Sequence, residues 1–180
     1  MSTVAIQGVK GSYSEQATIE IMGGNADIVE CLNFAETFDA VTSKRAEFAV
    51  VPVENKIIGE IEGTIEFLRG NKFRVFERLP LKVVHVLAGT NDAKIESLKT
   101  VRSHIEALKQ CRAYLGTNLH WKQIIGADTA SSIRRIVDEN HSENAAIGSR
   151  RAAEIYGAKI IAENIADDQD NWTTFWLIGR

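Results

Sequence analysis

Hydroxyl and amide side chains recur in this sequence where apolar strand patterns give way to a turn or a helix. They do so in Gly8-Val9-Lys10-Gly11-Ser12-Tyr13-Ser14, Glu54-Asn55-Lys56-Ile57-Ile58-Gly59, Ser103-His104 and Asp128-Thr129-Ala130-Ser131-Ser132. A fifth polar set, Asn171-Trp172-Thr173-Thr174, opens a final strand that is apolar from Phe175 to Ile178. Helix starts present unpaired N–H groups and the positive end of a dipole, so they attract carboxylates and phosphates. Taken singly, each hydroxyl reads more simply as an N-cap or a β-branched strand residue. The Gly8–Gly11 stretch is not a P-loop, because Lys10 precedes Gly11 and no Gly-Lys-Ser/Thr follows. His85, His120 and His141 have no ligand spacing with Cys31 or Cys111, so neither a metal nor a cofactor is expected.

Alternating strand and helix patterns must position these residues, which favours an α/β fold. Val4–Gln7, Phe48–Val53, Lys82–Ala88, Val101–Ser103, Ala145–Gly148, Lys159–Ala162 and Thr174–Ile178 read as strands. Helices are expected from Ser12 or Ser14 to Gly23, over Phe34–Val41, over Ile61–Leu68, from His104 to Leu115, from Thr129 or Ser131 through Val137, and over Ser149–Tyr156. The only prolines are Pro52 and Pro80, and Leu79-Pro80-Leu81 is the expected crossing between two lobes. A return near Gly157-Ala158 assigns 1–80 and 158–180 to the first lobe and 81–157 to the second.

A net charge of −3 with both signs interspersed gives no reason to expect nucleic-acid or membrane attraction. No apolar run is long enough to span a bilayer, and the N-terminus reads directly into a strand, so a cytoplasmic protein is expected. Two cysteines outside any Cys-x-x-Cys pair read as reduced thiols.

The ordered motifs resemble the prephenate dehydratase family. Gln7-Gly8-x-x-Gly11-Ser12-Tyr13-Ser14-Glu15-Gln16-Ala17 is similar to its N-terminal motif, and Pro52-Val53-Glu54-Asn55 followed by Gly59 to its Pro-Val-Glu-Asn-Ser block. Ser103-His104-x-x-Ala107-Leu108-x-Gln110-Cys111 is similar to its Ser-His-Pro-Gln-Ala-Leu block, and Asn171-x-Thr173-Thr174-Phe175 to its terminal Asn-x-Thr-Arg-Phe. The resemblance implies a two-lobed, periplasmic-binding-protein-like (type II) α/β architecture with the active site in the inter-lobe cleft. It also implies conversion of prephenate to phenylpyruvate in L-phenylalanine biosynthesis. The arogenate analogue, decarboxylation without aromatisation, and a non-catalytic small-acid binding module are the alternatives.

By this resemblance Thr173 is the catalytic proton donor. Ser14, Asn55, Ser103 and Thr129 are expected to line the substrate site, with Lys56 and Thr174 beside them. His104 is either a neutral donor or a structural histidine beside a helix cap, Asn171 either orients Thr173 or caps the preceding turn, and Phe175 either walls the ring or is a core aromatic. Two positions depart from the pattern: Thr174 replaces an arginine, and Lys56 replaces a serine, where it could supply the missing cation. Many relatives continue into a phenylalanine-binding ACT domain, which this sequence is not expected to form. The expected partner is a small-molecule substrate, with a homodimer as the possible assembly.

Overall fold

The computed structural model describes all 180 residues. In chain order the strands are β1 (Ser2–Gln7), β2 (Ala26–Cys31), β3 (Phe48–Asn55), β4 (Gly59–Glu60), β5 (Arg74–Lys82), β6 (Val86–Gly89), β7 (Thr100–Ser103), β8 (Lys122–Ile125), β9 (Asn144–Gly148), β10 (Lys159–Ala162) and β11 (Trp172–Gly179). The helices are α1 (Tyr13–Met22), α2 (Phe34–Thr42), α3 (Glu62–Gly70), α4 (Ile105–Gln110), α5 (Arg112–Gly116), α6 (Thr129–Glu139) and α7 (Arg150–Tyr156). They form two compact units, Met1–Val83 with Asp170–Arg180, and Val84–Gln169. Each unit is a sheet with its own helices, so the fold is the two-lobed, periplasmic-binding-protein-like α/β class expected.

The first unit's sheet runs β2-β1-β3-β11-β5, with β4 paired to β3. β1 is parallel to β2 and β3, whereas β11 is antiparallel to both β3 and β5. Both faces of the sheet are covered. Val4, Ile6, Val50, Phe175 and Leu177 pack with Ala17 of α1 on one face. Ala5, Ala49, Val51 and Ile178 pack with Phe38 of α2 and Phe67 of α3 on the other. Burial on both faces explains why β3 reads as a continuous apolar run without alternation.

The expected strand over Lys82–Ala88 is two strands in two sheets. β5 ends at Lys82 and β6 begins at Val86, so the chain leaves the first unit at Val83. Leu79-Pro80-Leu81 is therefore not the crossing but the interior of β5. Proline is tolerated there because β5 ends the sheet, where a strand has one side free of ladder partners.

The second unit's sheet runs β10-β6-β9-β7-β8. The return is also later than Gly157-Ala158. Gly157 ends α7 at φ 70°, and β10 then pairs antiparallel with β6 inside the second sheet. Residues 158–169 thus belong with the second unit. The single helix expected from His104 to Leu115 breaks at Cys111, whose φ of −109° and ψ of 22° separate α4 from α5. α6 is capped by neither Thr129 nor Ser131. Asp128 accepts from the Ser131 N–H at 2.7 Å, while Thr129 is the first helical residue.

Candidate active site

Strand alternation divides the terminal polar set between two faces. Phe175 and Leu177 lie on the α1 face, and Trp176 and Ile178 pack toward α2 and α3. By the same period of two, Thr173 shares the α1 side with Phe175, and Thr174 lies on the other side in the row of Trp176. Against β3, Thr174 pairs with Glu54 but Phe175 pairs with Pro52, so Val53 is an extra residue in the ladder. This bulge puts Asn55, rather than Glu54, opposite Thr173. Bulges characteristically re-aim a side chain in this way.

Asn55 is the hub of the first unit's polar cluster, and it is 5% exposed. Its Nδ2 donates to Asn171 Oδ1 at 2.8 Å and to Thr173 Oγ1 at 2.9 Å. Its Oδ1 accepts the backbone N–H groups of Ile57 at 2.9 Å and Ile58 at 3.2 Å, fixing the turn into β4. Every hydrogen-bonding atom of the amide is engaged, so its orientation admits no flip. Thr173 is 7% exposed, accepts from Asn55, and donates to no protein acceptor. Asn171 is fully buried, and its carbonyl receives the Val83 N–H at 2.8 Å. Asn171 and Thr173 are thus linked through Asn55, whose Nδ2 donates to both.

The remaining residues of this unit divide. The Lys56 backbone N–H donates to Trp172 O at 2.8 Å, tying the loop after β3 to the start of β11. Its ammonium is already paired, with the Asp170 carboxylate, which also accepts Trp172 Nε1 at 2.9 Å. The bonds from Lys56 and Trp172 hold the Asp170 carboxyl below its ordinary range. A free replacement cation at Lys56 is therefore not what the structure shows, and the sequence reading passed over Asp170. Phe175 is buried among Val4, Ile6 and Leu81, as a core aromatic. Ser14 is buried in the first turn of α1. That turn is fixed by Ser12, which accepts the Glu15 N–H at 3.2 Å, and by Glu15, which accepts the Gly11 N–H at 2.7 Å.

The second unit holds the other predicted residues. Ser103 is fully buried at the end of β7, and its hydroxyl donates to Ile147 O at 2.7 Å. His104 caps α4, with Nδ1 accepting the Glu106 N–H at 3.2 Å. In a neutral ring that bond leaves the proton on Nε2. Thr129 is partly exposed at the start of α6. A pair not anticipated is His85 with Gln110, 2.8 Å apart, in which burial pushes the imidazole below its ordinary pKa. The signal was present, since Gln110 lies in the Ser103–Cys111 motif. No cluster of histidine, cysteine and carboxylate side chains could hold a metal.

The two sheets, each with its own helices, define a two-unit α/β protein. The family model for prephenate dehydratase matches residues 4–180, and the chain belongs to that family. An arogenate dehydratase/prephenate dehydratase from Arabidopsis thaliana is 38% identical over 177 residues, covering 98% of this chain and 46% of the relative. The chain thus spans about half the length of the curated relatives it matches. Among solved structures, a prephenate dehydratase from Arthrobacter aurescens in complex with L-Phe superposes with a TM-score of 0.89 at 26% identity, covering 99% of this chain and 60% of that one. A structure described as a novel type of quorum quenching acylase superposes at 0.85 with 27% identity, covering 99% and 64%.

Proposed function

We propose that this chain catalyses the decarboxylative dehydration of prephenate to phenylpyruvate, a carbon–oxygen lyase reaction of L-phenylalanine biosynthesis. The observation that carries this reading is the buried Thr173 hydroxyl, which receives a hydrogen bond from Asn55 while its own proton has no protein acceptor. In the reaction the bond from the ring to the departing carboxylate breaks and its electron pair enters the ring. The C–O bond at the opposite ring carbon breaks in turn, and the departing oxygen takes up one proton to leave as water. Aromatisation drives the process. Thr173 is the donor to that oxygen, and the proton is restored from solvent. A threonine is a weak acid, so its contribution lies in position and in polarisation by the Asn55 N–H.

The substrate carboxylates require donors. In the first unit we assign that part to the hydroxyl of Ser14; in the second unit the Nε2–H of His104 and the start of α6 at Thr129 are donors of the same kind. Ser103, whose proton is committed to Ile147 O, can only accept. The substrate is prephenate or its amino analogue arogenate, a pair also named for the Arabidopsis relative. Acyl transfer, the activity named for the acylase-like neighbour, is not supported. A hydroxyl nucleophile needs a base to take its proton, and the only group bonded to Thr173 Oγ1 is an amide nitrogen that donates. No helix is long and apolar enough to cross a membrane. The reading includes a cytoplasmic setting and a free small-molecule substrate, with a homodimer testable by analytical ultracentrifugation.

The test is incubation with prephenate and, in parallel, arogenate, following substrate loss and aromatic product together. Phenylpyruvate or phenylalanine should form, and Thr173→Ala should slow this about 10²- to 10⁴-fold. Substrate lost without an aromatic product would replace dehydration by simple decarboxylation. Undiminished turnover by Thr173→Ala would remove the threonine from the mechanism.

A further inference from the structure

The second unit contains a cavity of about 460 Å³ that the dehydration does not use. Its walls come from Arg102 on β7, the Gly126-Ala127 turn after β8, and Ser131, Arg134 and Asp138 on α6. β8 is the edge of its sheet, and α6 packs chiefly on β9, so a groove is left beside the helix. Three guanidinium groups line it, and they are not equivalent. Arg135 Nε is bonded to Glu139 Oε1 at 2.7 Å, one turn along the same helix. Arg102 and Arg134 form neither an ion pair nor a hydrogen bond with any protein group, although Glu139, which also lines the groove, feels the charge of Arg102 at longer range.

Gly126 lies between α6 and the Arg102 stem. A Cβ there would stand 2.4 Å from Ser132 Oγ, so another residue would push on α6, while its 3.4 Å to Arg102 Cγ would be an ordinary contact. The stem is thus laid across a glycine, and its guanidinium is delivered partly buried to the cavity. A guanidinium presents parallel N–H donors that match the two oxygens of a carboxylate or phosphate. Asp138 lies one turn beyond Arg134 on the same wall, where it would accept a hydrogen-bond donor carried by the same ligand.

We propose that this groove, built by the second unit alone, is a further binding site for a small metabolite bearing an oxyanion gripped by Arg102 and Arg134. Phosphate esters and polycarboxylates share that chemistry. The test is titration of the protein with inorganic phosphate and with citrate, each against sodium chloride of equal ionic strength. The readouts are the thermal midpoint and the backbone amide resonances of Gly126, Ala127, Ser131 and Arg134. The expected result is a saturable rise of the midpoint with shifts at those amides, for one of the two anions at least. Which anion binds tighter distinguishes the two sources. Arg102→Ala and Arg134→Ala should each weaken binding about tenfold or more, corresponding to about 1.4 kcal/mol or above. Arg45→Ala and Thr173→Ala should leave it unchanged. Because resonances report binding below the melting transition, a less stable Arg102 variant remains readable. Shifts that follow ionic strength without saturating, or saturable binding that survives both arginine replacements, would overturn the proposal.

Discussion

A hydroxyl group can give one hydrogen bond and take two, and at Thr173 only the taking side is used within the protein. Asn55 enforces that asymmetry. Its carbonyl is occupied by Ile57 and Ile58, so the amide cannot turn over and accept the threonine proton. Asn55, expected from the sequence to touch substrate, is in this account the residue that positions the donor. Asn55→Asp tests the distinction. The carboxylate still accepts from Ile57 and Ile58, but it now draws the Thr173 proton inward. We expect kcat to fall about 10²-fold or more with KM little changed, read by steady-state kinetics on prephenate. A fall carried by KM alone would return Asn55 to a substrate-binding role. The same scale accounts for Thr174. The hydroxyl that replaces the family arginine lies on the opposite side of β11 from Thr173, so it leaves the donor's immediate surroundings intact.

At the scale of elements, helix caps decide where the polar loops end. Asp128→Ala should cost about 1 kcal/mol of stability in urea unfolding, whereas Thr129→Ala should change it by less than about 0.5 kcal/mol. The reverse ranking would show that the cap had been misassigned. Much at this scale was legible in the sequence. β1, β3, β9 and the helices after them follow from apolar runs bounded by glycine and hydroxyl residues. Three features were not. β2 is a half-exposed edge strand interrupted by Asp27 and Glu30, so it gives no apolar run. β5 contains a proline, which sequence reasoning takes as a break until the strand is known to lie at an edge. The bulge at Val53 depends on registration against a strand more than a hundred residues later, and no local pattern reports that. Thr173 and Asn55 could be named from the motifs. Their hydrogen bond, and the commitment of Lys56 to Asp170, are tertiary facts.

Across the whole molecule, two buried titratable groups set the pH range of stability. Burial pushes the His85 imidazole below its ordinary 6.5, against a smaller opposing effect from Gln110. The unfolded chain therefore takes up that proton first, and stability falls as pH drops below about 6.5. Burial, with a further push from Asp167, raises the Cys111 thiol from 9.0 to about 12. The unfolded thiol ionises first, so stability falls again between pH 9.0 and about 12. Denaturant unfolding across pH should show a plateau between these limits. The flanks should fall by up to about 1.4 kcal/mol per pH unit for each group. Cys111→Ala should reduce the alkaline flank and leave the share of Cys31 and Tyr114, which burial also raises; an unchanged alkaline flank in that variant would dissociate it from the Cys111 thiol. His85 and Cys111 both lie in the second unit, so their contributions report the unfolding of Val84–Gln169.

The second unit is one continuous stretch of chain, whereas the first is assembled from its two ends, with β11 inserted between β3 and β5. On the ribosome this fixes an order of events. Val84–Gln169 can close on itself while the first sheet still lacks an interior strand. β3 and β5 have no direct ladder to each other, so until β11 is in place the first sheet has an open slot where Thr173 belongs. The proposed donor therefore meets its partner Asn55 only once β11 has closed the first sheet, after Val84–Gln169 has had the chance to fold.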